Sequence, residues 1–268
     1  MMARTDEDFL RELELLETFQ QLGRIPSDAV AVSEEMKPAI AAPDANGASI
    51  PPSVPATKTA AVVPIVIDPA RVVRIAAMDW TALKAESAAC TACGLCKQRK
   101  QAVFGVGAES AAWLFVGEGP GAEEDREGEP FVGQSGKLLD AMLAAVGLHR
   151  GRDVYIANVV KCHPPGDRNP KAEEIAACAP FLDRQIDLIQ PRLIVALGKI
   201  AVMRLTGSDA SMASMRGKLH SYRGIPVVAT YHPAYLLRSL TEKLKGWEDL
   251  LFARREMAKQ LAANATQV

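Results

Sequence analysis

The chain has 268 residues, 49% hydrophobic and 24% charged, with a formal net charge of −1. That balance fits one large folded domain with extensions, and the longest apolar runs, such as Ile194 to Leu197, fall far short of the ~20 residues a membrane-spanning helix needs. Residues 1–77 hold 7 basic and 11 acidic side chains and the remainder 24 and 21, so an acidic tail precedes a mildly basic body, which is compatible with nucleic-acid binding without arguing for it.

The opening MMARTDEDFL has no apolar core of a secretory signal. The expectation is a cytoplasmic protein whose thiols stay reduced, where an odd count of five cysteines speaks for metal binding rather than disulfides. Residues 7–23 place Phe9, Leu10, Leu13, Leu16 and Phe19 on one helical stripe with Gly23 as a stop, either packing on their own domain or offered to an unknown protein partner. From Pro26 to Pro69 the chain is rich in Ala, Pro, Ser and Val and has no aromatic residue, the composition of a flexible linker. The expected organisation is a short amphipathic helix over 1–24, a disordered linker over 25–77 and a folded domain over 78–268.

Within that domain a helix, DWTALKAESAAC, leads into the cysteines. Apolar strands are expected at Trp113 to Gly117, Asp153 to Val160, Leu193 to Gly198 and Ile225 to Tyr231. Helices are expected at Ser135 to Val146, Pro170 to Ile189 (with Asn169 as N-cap and Pro170 at the first position), Lys199 to Leu205 and about Lys245 to Leu261. Buried strands alternating with helices describe a parallel sheet covered on both faces, whose ligands bind beyond the carboxyl ends of the strands.

The chemistry-bearing residues cluster at those ends. Cys90 and Cys93 form a Cys-x-x-Cys, and Cys96 follows. The residue four after Cys96 is Lys100, so the bacterial ferredoxin run fails. Cys162 and Cys178 could return to the same edge, and a four-thiolate site suits either a [4Fe–4S] cluster or zinc, with spacing alone leaving open which four bind. After the first strand, Gly117-Glu118-Gly119-Pro120-Gly121 permits close backbone approach to a ligand but matches neither a P-loop nor G-x-G-x-x-G. Glu118 could orient water or offset positive charge, or merely cap the turn. Phe131 could stack on a base or plug the core. The carboxamide of Asn158 can donate and accept at once, as reading a pyrimidine edge requires. His232 could donate to a developing anion or be a structural histidine.

In order, CTAC, GEGPGAEEDREGEPFVGQSGKLLD, NVVKCHPPGDRNP, the Cys178 helix and YHPAYLLR resemble the uracil-DNA glycosylase superfamily, most closely family 4, the iron–sulfur enzymes, over roughly residues 78–255. The resemblance implies a three-layer α/β/α sandwich around a four-stranded parallel sheet, and a [4Fe–4S] cluster on Cys90, Cys93, Cys162 and Cys178 that braces loops near DNA, with zinc as the alternative and no ligand role for Cys96. It implies a monofunctional enzyme, expected to be a monomer, that flips uracil out of single- or double-stranded DNA and hydrolyses its N-glycosidic bond; the competing reading is a non-catalytic iron–sulfur DNA-binding module. Glu118 and His232 would be catalytic. Phe131 would stack on the base, Asn158 read its edge, and backbone amides at Gly119 and Pro120 hold its carbonyls. Glu124 would crowd C5 against thymine's methyl, and Leu236, Leu237 and Arg238 would enter the duplex and touch phosphate. Asp167 departs from the asparagine of some relatives. The Arg-rich, His-containing insertion of relatives that trap DNA covalently is missing after strand two, so no covalent adduct is expected.

Overall fold

The computed structural model describes residues 68–265; the helix expected over 1–24 and residues 25–67 of the linker expected over 25–77 lie outside the described residues. The last part of that linker stretch is ordered. Helix α1 (Pro69–Ala76) begins at Asp68, whose carboxylate accepts from the Ala70 amide at 3.0 Å, and it buries Ile75 completely. The folded body thus starts ahead of Met78. Helix α2 (Trp80–Ala89) follows and ends at Cys90, and a 3-10 turn spans Gly94–Lys97.

Six strands form one sheet: β1 (Val106–Gly107), β2 (Trp113–Gly117), β3 (Val154–Asn158), β4 (Leu193–Leu197), β5 (Leu219–Tyr222) and β6 (Ile225–Thr230), in the order β1-β3-β2-β4-β6-β5. The four central strands are parallel, as expected; β1 and β5 add antiparallel edges. Between the strands lie α3 (Ala122–Glu127), α4 (Gln134–Ala145), α5 (Ala172–Ile189), α6 (Lys199–Thr206) and α7 (Met212–Met215), and after them α8 (Pro233–Arg238) and α9 (Lys243–Ala265).

Every residue of β2, β3 and β4 is buried, because helices cover both faces. Alternate side chains divide into two cores. Leu114, Val116, Tyr155, Ala157, Ile194 and Ala196 pack with Phe181, Leu182 and Ile186 of α5 and Val202 of α6. Trp113, Phe115, Ile156, Leu193 and Val195 pack with Leu139 and Leu143 of α4 and Leu250 and Met257 of α9. The sheet runs outward from β2 in both directions, which opens a crevice beyond its carboxyl end. Among the described residues no helix is long and apolar enough to cross a membrane.

The start of α5 differs from expectation. Its N-cap is Lys171, not Asn169. The reason is Glu174, which reaches back to the Lys171 amide at 2.7 Å and takes both guanidinium nitrogens of Arg168 at 2.8 and 2.7 Å. That clamp delays the helix and holds the preceding turn, Pro165–Asp167, as a loop over the crevice.

Candidate active site and cysteine cavity

A cleft of about 400 Å³ opens at the carboxyl ends of β2, β3 and β6. Its walls include Glu118, Gly119, Pro120, Glu124, Phe131, Asn158, His232 and Arg238, eight of the ten residues expected to act on substrate. Gly117 and Asn158 are direct cross-strand partners, so the Gly-rich loop and the carboxamide leave the sheet side by side. The pairing continues past the strands, with the Val159 and Val160 amides donating to the Gly117 and Glu118 carbonyls. Gly117 and Gly119 let these loops close up: a Cβ on Gly117 would stand 2.4 Å from Asn158 Oδ1, and one on Gly119 2.8 Å from Val160 Cγ2.

Asn158 is 1% exposed, and its Oδ1 has no hydrogen-bond partner. A buried amide oxygen without a partner costs about 1–3 kcal/mol, so this atom is prepared for a donor from outside the protein. Phe131, 5% exposed, stacks on His232 with ring centroids 5.4 Å apart and planes 28° from parallel. Its backbone is left-handed, with φ of +57°, a conformation that costs a bulky residue about 1–3 kcal/mol.

Electrostatics separate the two candidate catalytic groups. Burial raises the Glu118 carboxyl above its ordinary range. Burial, helped by the positive charge of Arg238, pushes the His232 imidazole down to about 4, with Glu124 acting weakly the other way. The ring is therefore neutral near pH 7. Its Nδ1 accepts from the Ala234 amide at 3.2 Å, capping α8, which leaves the proton on Nε2 as a donor. Glu124 lines the cleft, but its carboxylate is also a stitch: it accepts from the amides of Gly121 at 3.1 Å, Val132 at 2.9 Å and Gly133 at 3.1 Å.

The trio Leu236, Leu237 and Arg238 divides. Leu236 is 2% exposed and packs where a Cβ on Gly246 would stand 2.9 Å from its Cδ1, so it belongs to the interior and cannot enter a duplex as expected. Leu237 is exposed outside the cleft, and Leu240 and Leu244 stand beyond it at 66% and 63% exposure. Those two were missed; only the three- and four-residue leucine spacing hinted at a stripe. Tyr235, at the cleft mouth and tilted against Tyr231 at 5.0 Å, and Ser135, Arg168 and Asn169 of the lining were missed as well.

All five cysteines are free, and all five line a second, much smaller and nearly closed cavity with Ser87, Arg99 and Lys161. Three sulfurs accept hydrogen bonds: Cys90 from Arg71 at 3.5 Å, Cys162 from Arg99 at 2.9 Å, and Cys178 from the Lys161 amide at 3.3 Å. Burial raises the Cys93, Cys162 and Cys178 thiols, the last to about 12. The Ser87 hydroxyl is buried without a partner. Among the described residues no three His, Cys, Asp or Glu side chains are grouped to hold a single metal ion. Lys161, in the wall of the second cavity, reaches Asn158 in the wall of the first. Lys161, fully enclosed with its amine lowered to about 8 by burial, donates from Nζ to the Asn158 carbonyl at 2.8 Å and to Gln185 Oε1 at 2.6 Å.

The crevice at the parallel-sheet switch point thus holds a shielded carboxylate, a neutral histidine and a carboxamide oxygen without a partner. Residues 104–251 match the family model for the uracil DNA glycosylase superfamily. The chain is 47% identical over 158 residues to the type-4 uracil-DNA glycosylase of Thermotoga maritima, covering 58% of this chain and 82% of that protein. It is 45% identical over 164 residues to that of Sulfurisphaera tokodaii, covering 58% and 74%. With that of Pyrobaculum aerophilum it shares 47% over 157 residues, covering 56% and 80%. The chain belongs to the uracil DNA glycosylase superfamily, among its type-4 members.

Proposed function

We propose that this chain is a monofunctional DNA glycosylase that flips uracil out of DNA and hydrolyses its N-glycosidic bond, the first step of base excision repair. The observation that carries the reading is the meeting of Glu118, Phe131, Asn158 and His232, from four separate segments, in one cleft.

Uracil inside a duplex is out of reach, so the base must leave the stack at a cost of a few kcal/mol, as for glycosylases in general. In the cleft, Phe131 offers an apolar wall. Uracil presents a donor at N3 and an acceptor at O4, which Asn158 Oδ1 and Nδ2 complement. Thymine carries a methyl at C5, and Glu124, held by three amides, is a wall that does not yield. Gly119 and Pro120 close the pocket beside the base carbonyls.

Bond cleavage leaves the bonding electron pair on uracil as an anion and an oxocarbenium-like sugar. A neutral His232 donating from Nε2 stabilises that anion without surrendering a proton to it. Glu118, as a carboxylate, offsets charge at C1′ and orients the water whose oxygen bonds there. Its raised pKa suits it to take that water's proton. Arg238, in the cleft wall, would touch phosphate, and the exposed Leu237 would fill the gap left in the stack.

We assign a [4Fe–4S] cluster to Cys90, Cys93, Cys162 and Cys178. The shared cavity, three sulfurs already supplied with N–H donors and the partnerless Ser87 hydroxyl fit a buried, negatively charged thiolate group. When bound it would supply bracing rather than chemistry. Zinc is the alternative occupant of a four-thiolate site. The proposed enzyme is a monomer acting on single- or double-stranded DNA in the cytoplasm. Residues 1–24 remain a candidate helix for a protein partner.

The test is base release. Purified protein incubated with a uracil-containing oligonucleotide and then alkali should break the strand at uracil. Binding without release would return the chain to the non-catalytic reading.

A further inference from the structure

Phe131 occupies a backbone conformation its side chain does not favour, so something outside it must hold it there. The carbonyl side is held by Arg150, in the loop between α4 and β3. Its Nη2 donates to the Phe131 carbonyl and its Nη1 to the Pro130 carbonyl, both at 2.8 Å, while Nε donates to Asp140 Oδ1 at 2.8 Å. The amide side is held by Glu124, through Val132 and Gly133. Gly136 makes room for the arrangement, since a Cβ there would stand 1.8 Å from the Phe131 oxygen.

We infer that Arg150 is a positioning residue for base recognition: its planar fork fixes the left-handed Phe131 peptide, and through it the ring that walls the uracil pocket and packs on His232. Two adjacent carbonyls and a carboxylate present acceptors on three sides, which a guanidinium meets with donors in one plane. An ammonium is a point donor and cannot span them. The guanidinium is mostly covered, with 21% of its side chain exposed, and Asp140 orients it from the far side. The inference rests on the reading of Phe131 as the pocket wall.

A double-mutant cycle separates this role from a plain structural staple. The variants are Arg150→Met, Arg150→Lys, Phe131→Ala and the double variant Arg150→Met with Phe131→Ala. The readouts are KM and kcat on a uracil oligonucleotide, melting temperature and visible absorbance. Arg150→Met should lose roughly 10- to 100-fold in kcat/KM, the scale of a misplaced binding group, with absorbance intact. Arg150→Lys should fall between it and wild type, and serves in its place if the Met variant does not fold. In the Phe131→Ala background, removing Arg150 should change kcat/KM by less than about threefold, because the group it positions is already gone. Losses that multiply in the double variant, or wild-type kcat/KM in both Arg150 variants, would overturn the inference alone. A Phe131→Ala enzyme with wild-type kcat/KM would overturn the pocket-wall reading and this inference with it.

Discussion

Gly117→Ala adds one methyl group where the side chains of Asn158 and Phe131, the two proposed to contact the base, meet. Gly117 does not have a positive φ, so alanine is conformationally allowed and the effect is steric. The new Cβ would stand 2.4 Å from Asn158 Oδ1 and 2.6 Å from Phe131 Cζ, where ordinary contact begins at 3.4 Å. One or both groups must therefore retreat by about 0.8–1.0 Å. Neither can do so freely. Asn158 is paired to Gly117 itself across the sheet, and Phe131 is pinned through its carbonyl. Overpacking of this kind costs about 1–3 kcal/mol of stability, a melting shift of about 2–4 °C per kcal/mol for a domain this size. A displacement near 1 Å in a binding group, by contrast, costs about 100-fold in rate. The variant should fold, melt about 2–12 °C lower and lose about two orders of magnitude in kcat/KM. Single-turnover kinetics on a uracil oligonucleotide, with thermal melts on the same samples, measure both. A variant within threefold of wild-type kcat/KM would show that the close packing of Gly117, Asn158 and Phe131 does not set the pocket.

Three other outcomes are expected. The acid limb of kcat/KM should involve one proton and belong to Glu118. Its carboxyl is raised by burial and works deprotonated, so activity is present above its pKa and falls as pH drops through it, while His232 stays neutral down to about 4. A limb that breaks near the ordinary histidine value, and survives in Glu118→Gln, would contradict this. If the cluster is held as proposed, the purified protein should be brown, Cys178→Ser should lose that absorbance and Cys96→Ser should keep it. The reverse pattern would reassign the fourth ligand. Leu236→Ala should cost roughly 2–5 kcal/mol of stability as a core truncation. Leu237→Ala should leave the melt unchanged and slow excision from duplex more than from single-stranded DNA; equal slowing on both would exclude a role in filling the stack.

The four central strands were legible because a strand buried on both faces must be apolar throughout, as WLFVG and LIVAL are. The edges were not. β1 is two residues long, and β5, LHSY, alternates between exposed and half-buried positions that resemble any polar loop. Residues at strand ends, such as Glu118, Asn158 and His232, were legible because motif and sheet end coincide. What holds them was not. Arg150 lies 19 residues from the Phe131 carbonyl it grips, and Arg99 lies 63 residues from Cys162. Nor does sequence separate Leu236 from Leu237; that depends on which one faces Gly246 of α9. Asn169 and Pro170 made a good helix start locally, and lost to a carboxylate whose bidentate arginine lies in the loop before it.

The residues between Asn158 and Cys162 explain why bracing at the cysteines should matter to base reading at all. Asn158 is at one end of this run and a cavity cysteine at the other. Between them, Lys161 sends its amide to Cys178 Sγ, its Nζ to the Asn158 carbonyl and to Gln185, and its carbonyl to the Val103 amide. Cys178 and Gln185 both belong to α5, about two turns apart. Any movement of α5 relative to β3 would pull on Lys161 from both of its ends. Thiolates joined through one rigid group would forbid that movement, because Cys178 moves with α5 and Cys162 with the end of the Asn158 segment. The same group would tie in Cys90 and Cys93, at the end of α2. On the proposed roles, the register of the Asn158 carboxamide would be set by the loop that follows it, and a cluster outside the chemistry would still decide whether Asn158 meets a uracil edge.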